Sequence, residues 1–288
     1  MVVEAHSGKV IQAQNSSVKR PVASLTKICT GCVATDWALA TNQDLKKISA
    51  VVPESITRIG GPNPLNLQPG QSITLSDALY AALLSSDNMA AMTVADHIGR
   101  DINNRRGSTD DPVWTFVKEM NELAKTVGMR NTKFLNPHGL ELPKQQGYST
   151  AADMSKLCIY AMRRPSFAFF VRQKTRTISV GGKSYELQNT NKLVGGEGIL
   201  GIKTGQTTPA GSCLATSMDK DPLIRTKPDG SKGVTPRRLI VVLLNSTEDR
   251  FTRTTNLLST GWAAYDAWIA NGALVKDRER EILQIPKF

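Results

Sequence analysis

The chain has 288 residues, of which 40% are hydrophobic and 21% are charged. These values exclude a disordered chain, a collagen-like fibre and a small disulfide-stapled scaffold, and they allow one large domain or two small ones. The 36 Lys and Arg residues outnumber the 25 Asp and Glu residues, and the resulting net charge of +11 is compatible with an anionic partner without identifying one.

The amino-terminal part predicts a β-hairpin followed by a long helix. Short apolar runs at 2–3 and 10–11 flank a turn. From about 24 to 40, apolar residues recur at helical spacing. Residues 53–72 are rich in proline and glycine, so we predict a long loop there.

Three of the next four helices are predicted to begin at a residue that can cap them. These starts are Thr74 with Asp77, Asp111 with Pro112, and Thr150 with Asp153. The first of these helices is predicted to end at the polar corner 85–88. A further helix follows, in which apolar residues resume at Ala90 and which is predicted to end at Gly99. The other two helices are predicted to end near 127 and 162.

From Thr175 the apolar period changes to two, which predicts strands. A hairpin turns at Gly181-Gly182. We predict further strands at about 198–204, 211–217 and 239–245, and a last helix from about 251 to 270. The segment 220–238, which is rich in Lys, Arg, Pro and Gly, is interpreted as a solvated loop. Strands at both ends of the chain predict one sheet with a helical region inserted.

Other local patterns point to no redox, metal or membrane-spanning element. Four cysteines are too few for a disulfide framework, and Cys29 and Cys32 fit an apolar helix face, so we expect buried thiols. No run of eighteen apolar residues is present, and the first twenty residues lack the apolar core of a signal peptide. Three scattered histidines and the absence of a phosphate-binding glycine loop predict no metal and no cofactor.

Ser24 and Lys27 lie three residues apart at a predicted helix start, which places a hydroxyl and an amine on one face. An amine at that distance can accept the hydroxyl proton and so activate a nucleophile. The pattern alone is weak, because the same spacing recurs at 16–19 and 217–220.

Two further motifs follow in order along the chain. Ser86-Asp87-Asn88 lies at the predicted corner between two helices, and Lys203-Thr204-Gly205 ends a predicted strand, where Gly205 allows a substrate backbone to approach closely. The three motifs S-x-x-K, S-D-N and K-T-G together form the signature of penicillin-binding proteins and class A β-lactamases.

The chain resembles the low-molecular-weight penicillin-binding proteins, which are serine-type D-alanyl-D-alanine carboxypeptidases. The likeness covers about residues 2–265 and is carried by EAHSGKVI, PVASLTKICT, LQPGQSITLSDAL, LLSSDNMAA, FLNPHGL, YSTAADM, NTNKL, GIKTGQTTPAGSCLA, LIVVLLNS and DRFTRTTNLLSTGW. The chain departs from the family in a lengthened segment at 220–238, in Gln206 after the K-T-G, and in an insertion at 142–144.

The resemblance implies a mixed α/β (α+β) fold of the β-lactamase and DD-peptidase type, with an antiparallel sheet flanked by helices and an inserted all-helical subdomain. We expect one catalytic domain over 1–288. Its sheet-containing subdomain would comprise 1–26 and 170–288, its helical subdomain would comprise 27–169, and the active site would lie in the cleft between them.

The resemblance also implies roles for the motif residues. Ser24 would be the acylated nucleophile, Lys27 its general base, and Ser86 the proton relay to the leaving D-alanine. Asn88 would hold the amide of the substrate's penultimate residue. Lys203 would supply positive potential and lower the pKa of Lys27 by repulsion.

Four positions near the K-T-G would complete the substrate site. The resemblance implies that Thr204 hydrogen-bonds the terminal carboxylate and that Arg250 helps to bind it, while Gly205 admits the substrate backbone. The oxyanion hole would be formed by the backbone N–H groups of Ser24 and Gln206.

We therefore expect a hydrolase that cleaves the terminal D-Ala-D-Ala bond of peptidoglycan stem peptides through a Ser24 acyl-enzyme and that β-lactams acylate. No nucleic acid partner and no transmembrane segment are expected. Because stem peptides of mature peptidoglycan lie outside the cytoplasmic membrane, we expect an extracytoplasmic location, in the periplasm or on the cell-wall side, with the export signal absent from this chain.

Several alternatives remain open. A D,D-endopeptidase that cuts peptidoglycan cross-links uses the same chemistry, and a noncatalytic basic wall-binding protein would explain the charge. A β-lactamase is less favoured, because none of the glutamates before the K-T-G, Glu141, Glu186 and Glu197, begins an E-x-x-x-N pattern. A Ser-His-Asp triad is disfavoured as well, since no G-x-S-x-G presents a serine to His6, His97 or His138.

Overall fold

A five-stranded antiparallel sheet lies between helices in a computed structural model, which describes residues 1–142, 145–226, 229–272 and 288. Its strand order is β2-β1-β9-β8-β7, so the first hairpin pairs with the last strand of the chain, as predicted. The strands are β1 (Val2–Glu4), β2 (Val10–Gln12), β7 (Ile199–Thr207), β8 (Gly211–Thr226) and β9 (Lys232–Ser246). Strand β7 lies at one edge of this sheet.

Seven α-helices accompany the sheet in the described part of the chain. They are α1 (Thr26–Ala40), α2 (Leu75–Leu83), α3 (Asn88–Arg106), α4 (Pro112–Thr126), α5 (Ala151–Met162), α6 (Pro165–Val171) and α7 (Arg250–Ala270). Helix α1 is central, because every residue from Thr26 to Ala38 is buried. Helices α2 to α6 pack around α1 and cover it on all sides.

Two small two-stranded sheets lie apart from the main sheet. One pairs β3 (Ser49–Val51) with β4 (Ser72–Thr74), and these strands lie at the two ends of the predicted loop. The loop is irregular apart from a 3-10 turn at Glu54–Arg58. The other pairs β5 (Thr175–Val180) with β6 (Lys183–Gln188), the hairpin predicted around Gly181-Gly182. The sequence patterns did not predict β3, β4 or α6.

The predicted caps are present. Thr74 Oγ1 accepts from the backbone N–H of Asp77 at 3.0 Å, and Thr150 Oγ1 accepts from that of Asp153 at 3.0 Å. Asp111 caps α4 by accepting from the backbone N–H of Trp114. These caps satisfy backbone donors that have no partner within the helix.

The prediction that Gly99 ends a helix is wrong. Helix α3 continues to Arg106 and ends at Gly107, which has the left-handed φ of +62°. Helix α4 begins against Gly99, where the Cβ atom of any larger residue would lie only 1.9 Å from Pro112 O. Glycine at 99 therefore permits a close contact between two helices, and the sequence pattern could not distinguish this role from a helix end.

The prediction of a solvated loop over 220–238 is also wrong. Strands β8 and β9 continue as a two-stranded arm, in which Ile224 pairs with Val234. A register shift between Lys220 and Leu223 accommodates Pro222, as bulges do. Several cations have partners at the base of the arm: Arg238 binds Asp219, Arg237 binds Asp266, and Lys220 lies over the Trp262 ring.

The predicted buried thiols are confirmed, since Cys29, Cys32, Cys158 and Cys213 are all buried and free. Burial raises the pKa of Cys29 and of Cys32, which keeps both protonated and unreactive. We keep the division into a helical part, 27–169, and a sheet-containing part, 1–26 and 170–288, as a proposal. No helix in the described residues is long and apolar enough to cross a bilayer.

Candidate active site

Ser24 lies in a 3-10 turn, Ala23–Leu25, that leads directly into α1. Ala23 has a left-handed φ of +46°, an unusual conformation for a residue with a Cβ atom. The carbonyl of Ala23 is covered by Gly139, where a Cβ atom would approach Ala23 O to 2.0 Å. The turn that carries Ser24 is thus in close contact with residue 139, where only glycine fits because no side chain has room.

Lys27 is completely buried in the first turn of α1, and its amine has three polar neighbours. Nζ lies 3.0 Å from Ser24 Oγ, 2.6 Å from Asn88 Oδ1 and 2.9 Å from His138 O. Asn88 Nδ2 donates to Gly60 O at 2.9 Å, which fixes the amide so that its oxygen faces Lys27.

This arrangement satisfies the amine in either protonation state, because an ammonium can donate to all three neighbours and a neutral amine can donate to two of them. Two of the neighbours, Asn88 Oδ1 and His138 O, can only accept hydrogen bonds. A neutral amine has two N–H groups, which these acceptors occupy, and one lone pair, which then faces the third neighbour. That neighbour is the Ser24 hydroxyl, so a neutral Lys27 amine is placed to accept its proton.

The pKa of Lys27 is lowered to about 7, mainly because burial disfavours the charged ammonium, while the carboxylate of Asp87 acts in the opposite direction. The expectation that repulsion from Lys203 lowers this pKa needs correction, because burial is the main cause. Burial also lowers the pKa of Lys203 well below its usual range, and repulsion from Lys27 and Arg250 adds to that shift.

His138 contributes a backbone oxygen to the site, and its ring stays uncharged. Burial and the nearby Lys27 lower the pKa of His138 to about 3. Its Nδ1 atom accepts from the backbone N–H of Leu140. Sequence reasoning considered His138 only as a member of a triad, since a contact made by a backbone carbonyl leaves no side-chain signature.

The S-D-N motif forms the tight corner between α2 and α3. Ser86 has a left-handed φ of +64° and its hydroxyl makes no hydrogen bond within the described residues. Asp87 caps α3 by accepting from the backbone N–H of Ala90 at 2.9 Å. Asn88 is fully buried, and both ends of its amide are occupied by protein groups, Lys27 and Gly60.

The K-T-G motif lies on the edge strand β7, which packs directly against the Ser24 turn. A Cβ atom on residue 205 would lie 3.0 Å from Val22 O and 3.2 Å from the Ser24 nitrogen. Glycine at this position therefore allows the strand and the backbone of the Ser24 turn to meet. Lys203 is fully buried, and its Nζ lies 3.2 Å from Thr204 O.

The remaining predicted residues surround the end of β7. Arg250, the first residue of α7, donates through Nη1 to Gly205 O at 2.9 Å, so it contacts the strand that is expected to hold the carboxylate. Gln206 is exposed. Two contacts here were not anticipated: Thr207 Oγ1 donates to Glu141, and Thr204 Oγ1 donates to Thr190 Oγ1 at 2.7 Å.

The site thus combines a half-buried hydroxyl, a buried amine of lowered pKa and an edge strand that carries a second buried amine. Such a combination can acylate a serine and can attract an anionic group next to it. The structure joins Ser24, Lys27 and Asn88 by direct contacts and brings Gly205 against the Ser24 backbone.

The D-alanyl-D-alanine carboxypeptidase family profile matches residues 1–225. The chain is 32% identical to a D-alanyl-D-alanine endopeptidase of Escherichia coli K12 over 218 residues, which cover 74% of this chain and 64% of that protein. It is 31% identical to the D-alanyl-D-alanine carboxypeptidase DacF of Bacillus subtilis 168 over 230 residues, which cover 76% of this chain and 53% of that protein. The chain therefore spans between about half and two thirds of the length of these curated relatives.

Among solved structures, the fold is similar to that of penicillin-binding protein D2 from Listeria monocytogenes in its ampicillin-bound form. The two chains are 25% identical, with a TM-score of 0.69, and the match covers 91% of this chain and 95% of that one.

Proposed function

The chain belongs to the D-alanyl-D-alanine carboxypeptidase family, and on that premise we propose that it is a serine hydrolase acting on peptidoglycan. Its substrate is a stem peptide that ends in D-Ala-D-Ala. The reaction cleaves the terminal peptide bond through an acyl-enzyme on Ser24, and β-lactams acylate the same serine. The similarity to a penicillin-binding protein in its ampicillin-bound form supports the proposed acylation by β-lactams.

One observation carries the proposal: Lys27 Nζ lies 3.0 Å from Ser24 Oγ and has a pKa of about 7. A lysine with its ordinary pKa would be almost fully protonated at neutral pH and could not accept a proton. With a pKa near 7, about half of the enzyme holds the neutral amine that general base catalysis requires.

The proposed reaction has two stages. Ser24 Oγ attacks the carbonyl carbon of the penultimate D-alanine while Lys27 takes its proton, and the backbone N–H groups of Ser24 and Gln206 stabilise the oxyanion. The C–N bond then breaks, and the leaving D-alanine receives a proton through Ser86. Water next attacks the ester, which releases the shortened peptide and restores the Ser24 hydroxyl.

The substrate is proposed to lie along the free edge of β7. An edge strand offers unpaired backbone groups to an extended peptide. Lys203 and Thr204 then face the terminal carboxylate of the substrate. Arg250 contacts the same end of β7 through its hydrogen bond to Gly205 O. For Asn88 to hold the penultimate amide, its Nδ2 must exchange Gly60 O for the substrate carbonyl.

The experiment that tests this proposal is labelling with a fluorescent penicillin. Wild-type protein is expected to form a covalent adduct, and Ser24→Ala is expected to form none, because no other group replaces the nucleophile. Ser16→Ala is a matched control, since Ser16 precedes Lys19 with the same spacing. Covalent labelling of folded Ser24→Ala protein would refute the assignment.

A second candidate, a D,D-endopeptidase, is favoured by the similarity to the Escherichia coli endopeptidase. The two activities share the acyl-enzyme and differ in the leaving group, which is free D-alanine in one and a cross-linked peptide in the other. Incubation with purified cross-linked and linear muropeptides separates them: released D-alanine indicates the carboxypeptidase, and conversion of dimers to monomers indicates the endopeptidase.

We also propose an extracytoplasmic location, in the periplasm or on the cell-wall side, because the substrate class lies there. The net charge of +11 suits work beside anionic wall polymers and phospholipid headgroups. Fractionation of cells that express the native gene, with penicillin labelling of each fraction, tests this location. Labelling confined to the cytoplasmic fraction would contradict it.

A further inference from the structure

Thr190 joins the two sides of the cleft, although it belongs to none of the three motifs. Its backbone N–H donates to Leu84 O at 3.0 Å, and its hydroxyl donates to the same oxygen at 3.1 Å. The Thr204 hydroxyl donates to Thr190 Oγ1 at 2.7 Å. A chain of two hydroxyls therefore runs from the K-T-G strand to the carbonyl just before the S-D-N corner.

The neighbours of Thr190 hold it in this position. Asn189 Nδ2 donates to two carbonyls at the end of α6, Val171 O at 3.0 Å and Gln173 O at 2.9 Å. On the other side, the buried Asn191 donates to Gly201 O of β7 at 2.9 Å. Because both flanking side chains are anchored, the Thr190 hydroxyl has little freedom except rotation about its own Cβ–Oγ bond.

The direction of these hydrogen bonds matters, because a hydroxyl has only one proton to donate. Thr190 directs its proton to Leu84 O, so towards Thr204 it can only accept. The proton of Thr204 is therefore directed to Thr190. A carboxylate can only accept hydrogen bonds, so Thr204 in this arrangement has no proton to offer it.

The chain can reverse its direction at small cost. Leu84 O keeps the backbone N–H of Thr190 as a partner, so the Thr190 hydroxyl can rotate away without leaving that carbonyl unsatisfied. It then donates to Thr204 Oγ1, and the Thr204 proton becomes free to point into the cleft. Only two rotations are involved, and no proton changes its atom.

We propose that Thr190 is a positioning residue for carboxylate recognition, which acts by reversing this hydroxyl chain when the substrate binds. The inference rests on the proposed function, in which Thr204 hydrogen-bonds the terminal carboxylate. In the reversed chain, donation from Thr190 polarises the Thr204 hydroxyl and strengthens its bond to the anion. The ligand group is a carboxylate, present in a D-alanine terminus and in a penicillin.

The test compares two probes, a penicillin with a free carboxylate and its methyl ester. Intact-protein mass spectrometry gives the second-order rate constant of acylation for each, and the ratio of acid to ester measures carboxylate recognition. Thr190→Val keeps the shape and the backbone N–H but has no hydroxyl to polarise that of Thr204, so the ratio is expected to fall by up to about fivefold. Thr190→Ser keeps the hydroxyl and is expected to retain the ratio.

Equal slowing of both probes in Thr190→Val would show a packing role, and unchanged rates for both probes would show that the hydroxyl chain is not used; each outcome overturns the inference. A second variant, Thr204→Val, distinguishes a failure of the inference about Thr190 from a failure of the proposed function. It is expected to lower the ratio at least as much as Thr190→Val does. If Thr204→Val retains the ratio, the proposed role of Thr204 is wrong; if it lowers the ratio and Thr190→Val does not, only the inference about Thr190 is wrong.

Discussion

On the helical side of the cleft, the amine of Lys27 already has three polar neighbours, and one of them, Asn88, is itself fixed by Gly60. On the sheet side, β7 has a neighbouring strand on only one edge, and Lys203 has only the backbone oxygen of Thr204 within hydrogen-bond distance among the described residues. The polar neighbours of Lys27 are thus in place before substrate arrives, whereas we expect Lys203 to gain partners from the substrate. In the proposed site, preorganised chemistry and adaptable binding therefore lie on opposite sides of the expected cleft.

Removing the amine of Lys27, on the helical side, should lower the acylation rate more than any other change considered. Lys27→Met retains length and burial but has no base, so acylation by penicillin is expected to slow by about 10²–10⁴-fold. Rapid-quench labelling gives the rate. Lys19→Met is the matched control, because Lys19 has the same spacing from a serine but is exposed, and its rate should be unchanged. A rate for Lys27→Met near that of the wild type would assign the base to another group.

A charge introduced beside Lys27 should change the pKa of its amine without removing the amine. In the wild type, only the neutral amine is active, so the acylation rate is expected to rise as the pH increases through about 7 and to level off above it. Asn88→Asp places a carboxylate next to Nζ, which favours the ammonium and raises the pKa of Lys27.

The expected result for Asn88→Asp is a rate profile displaced to higher pH, with a rate at pH 7 that falls about fivefold for a rise of about 1 in the pKa of Lys27. Rates measured from pH 5.5 to 9.5 with one penicillin show the displacement, and recovery towards the plateau at high pH is the control for folding. An undisplaced profile with a lower plateau would mean that Asn88 acts on the substrate and not on Lys27.

A smaller effect is expected where the two sides meet. Gly205→Ala adds a methyl group 3.0 Å from Val22 O, so β7 and the Ser24 turn must separate by a few tenths of an ångström. We expect acylation to slow several-fold and the protein to lose about 1 kcal/mol of stability. Thermal unfolding and acylation rates measure both quantities. Equal activity and stability would show that the contact is not tight in solution.

The sequence predicted those parts of the fold and site whose signals are local. Side-chain caps at Thr74 and Thr150 marked helix starts, and the three motifs identified Ser24 and Lys27, which the structure places in contact. What it did not predict depends on distant neighbours. Gly99 looks like a helix end until α4 is placed against it.

Two classes of site contact escaped prediction for a physical reason. His138 O and Gly60 O act through the backbone, where the residue type gives no signal. Thr190 acts through a hydroxyl that is ordinary in sequence and becomes significant only beside Thr204 and Leu84. The arm of β8 and β9 was mistaken for a loop because prolines and charges are typical of loops, while its register and ion pairs are visible only in three dimensions.

The pairing of the first strand with the last has a consequence for synthesis on the ribosome. Val2 lies opposite Val241 in the sheet, so this pairing cannot form until residue 241 has been translated. Until then the apolar β1 has only β2 as a strand partner, and contacts so far apart in sequence form slowly. The helices between 26 and 171 are synthesised earlier and can associate first. The finished sheet, and with it the placement of β7 beside Ser24, therefore arises late, and a nascent chain should remain inactive until β9 emerges.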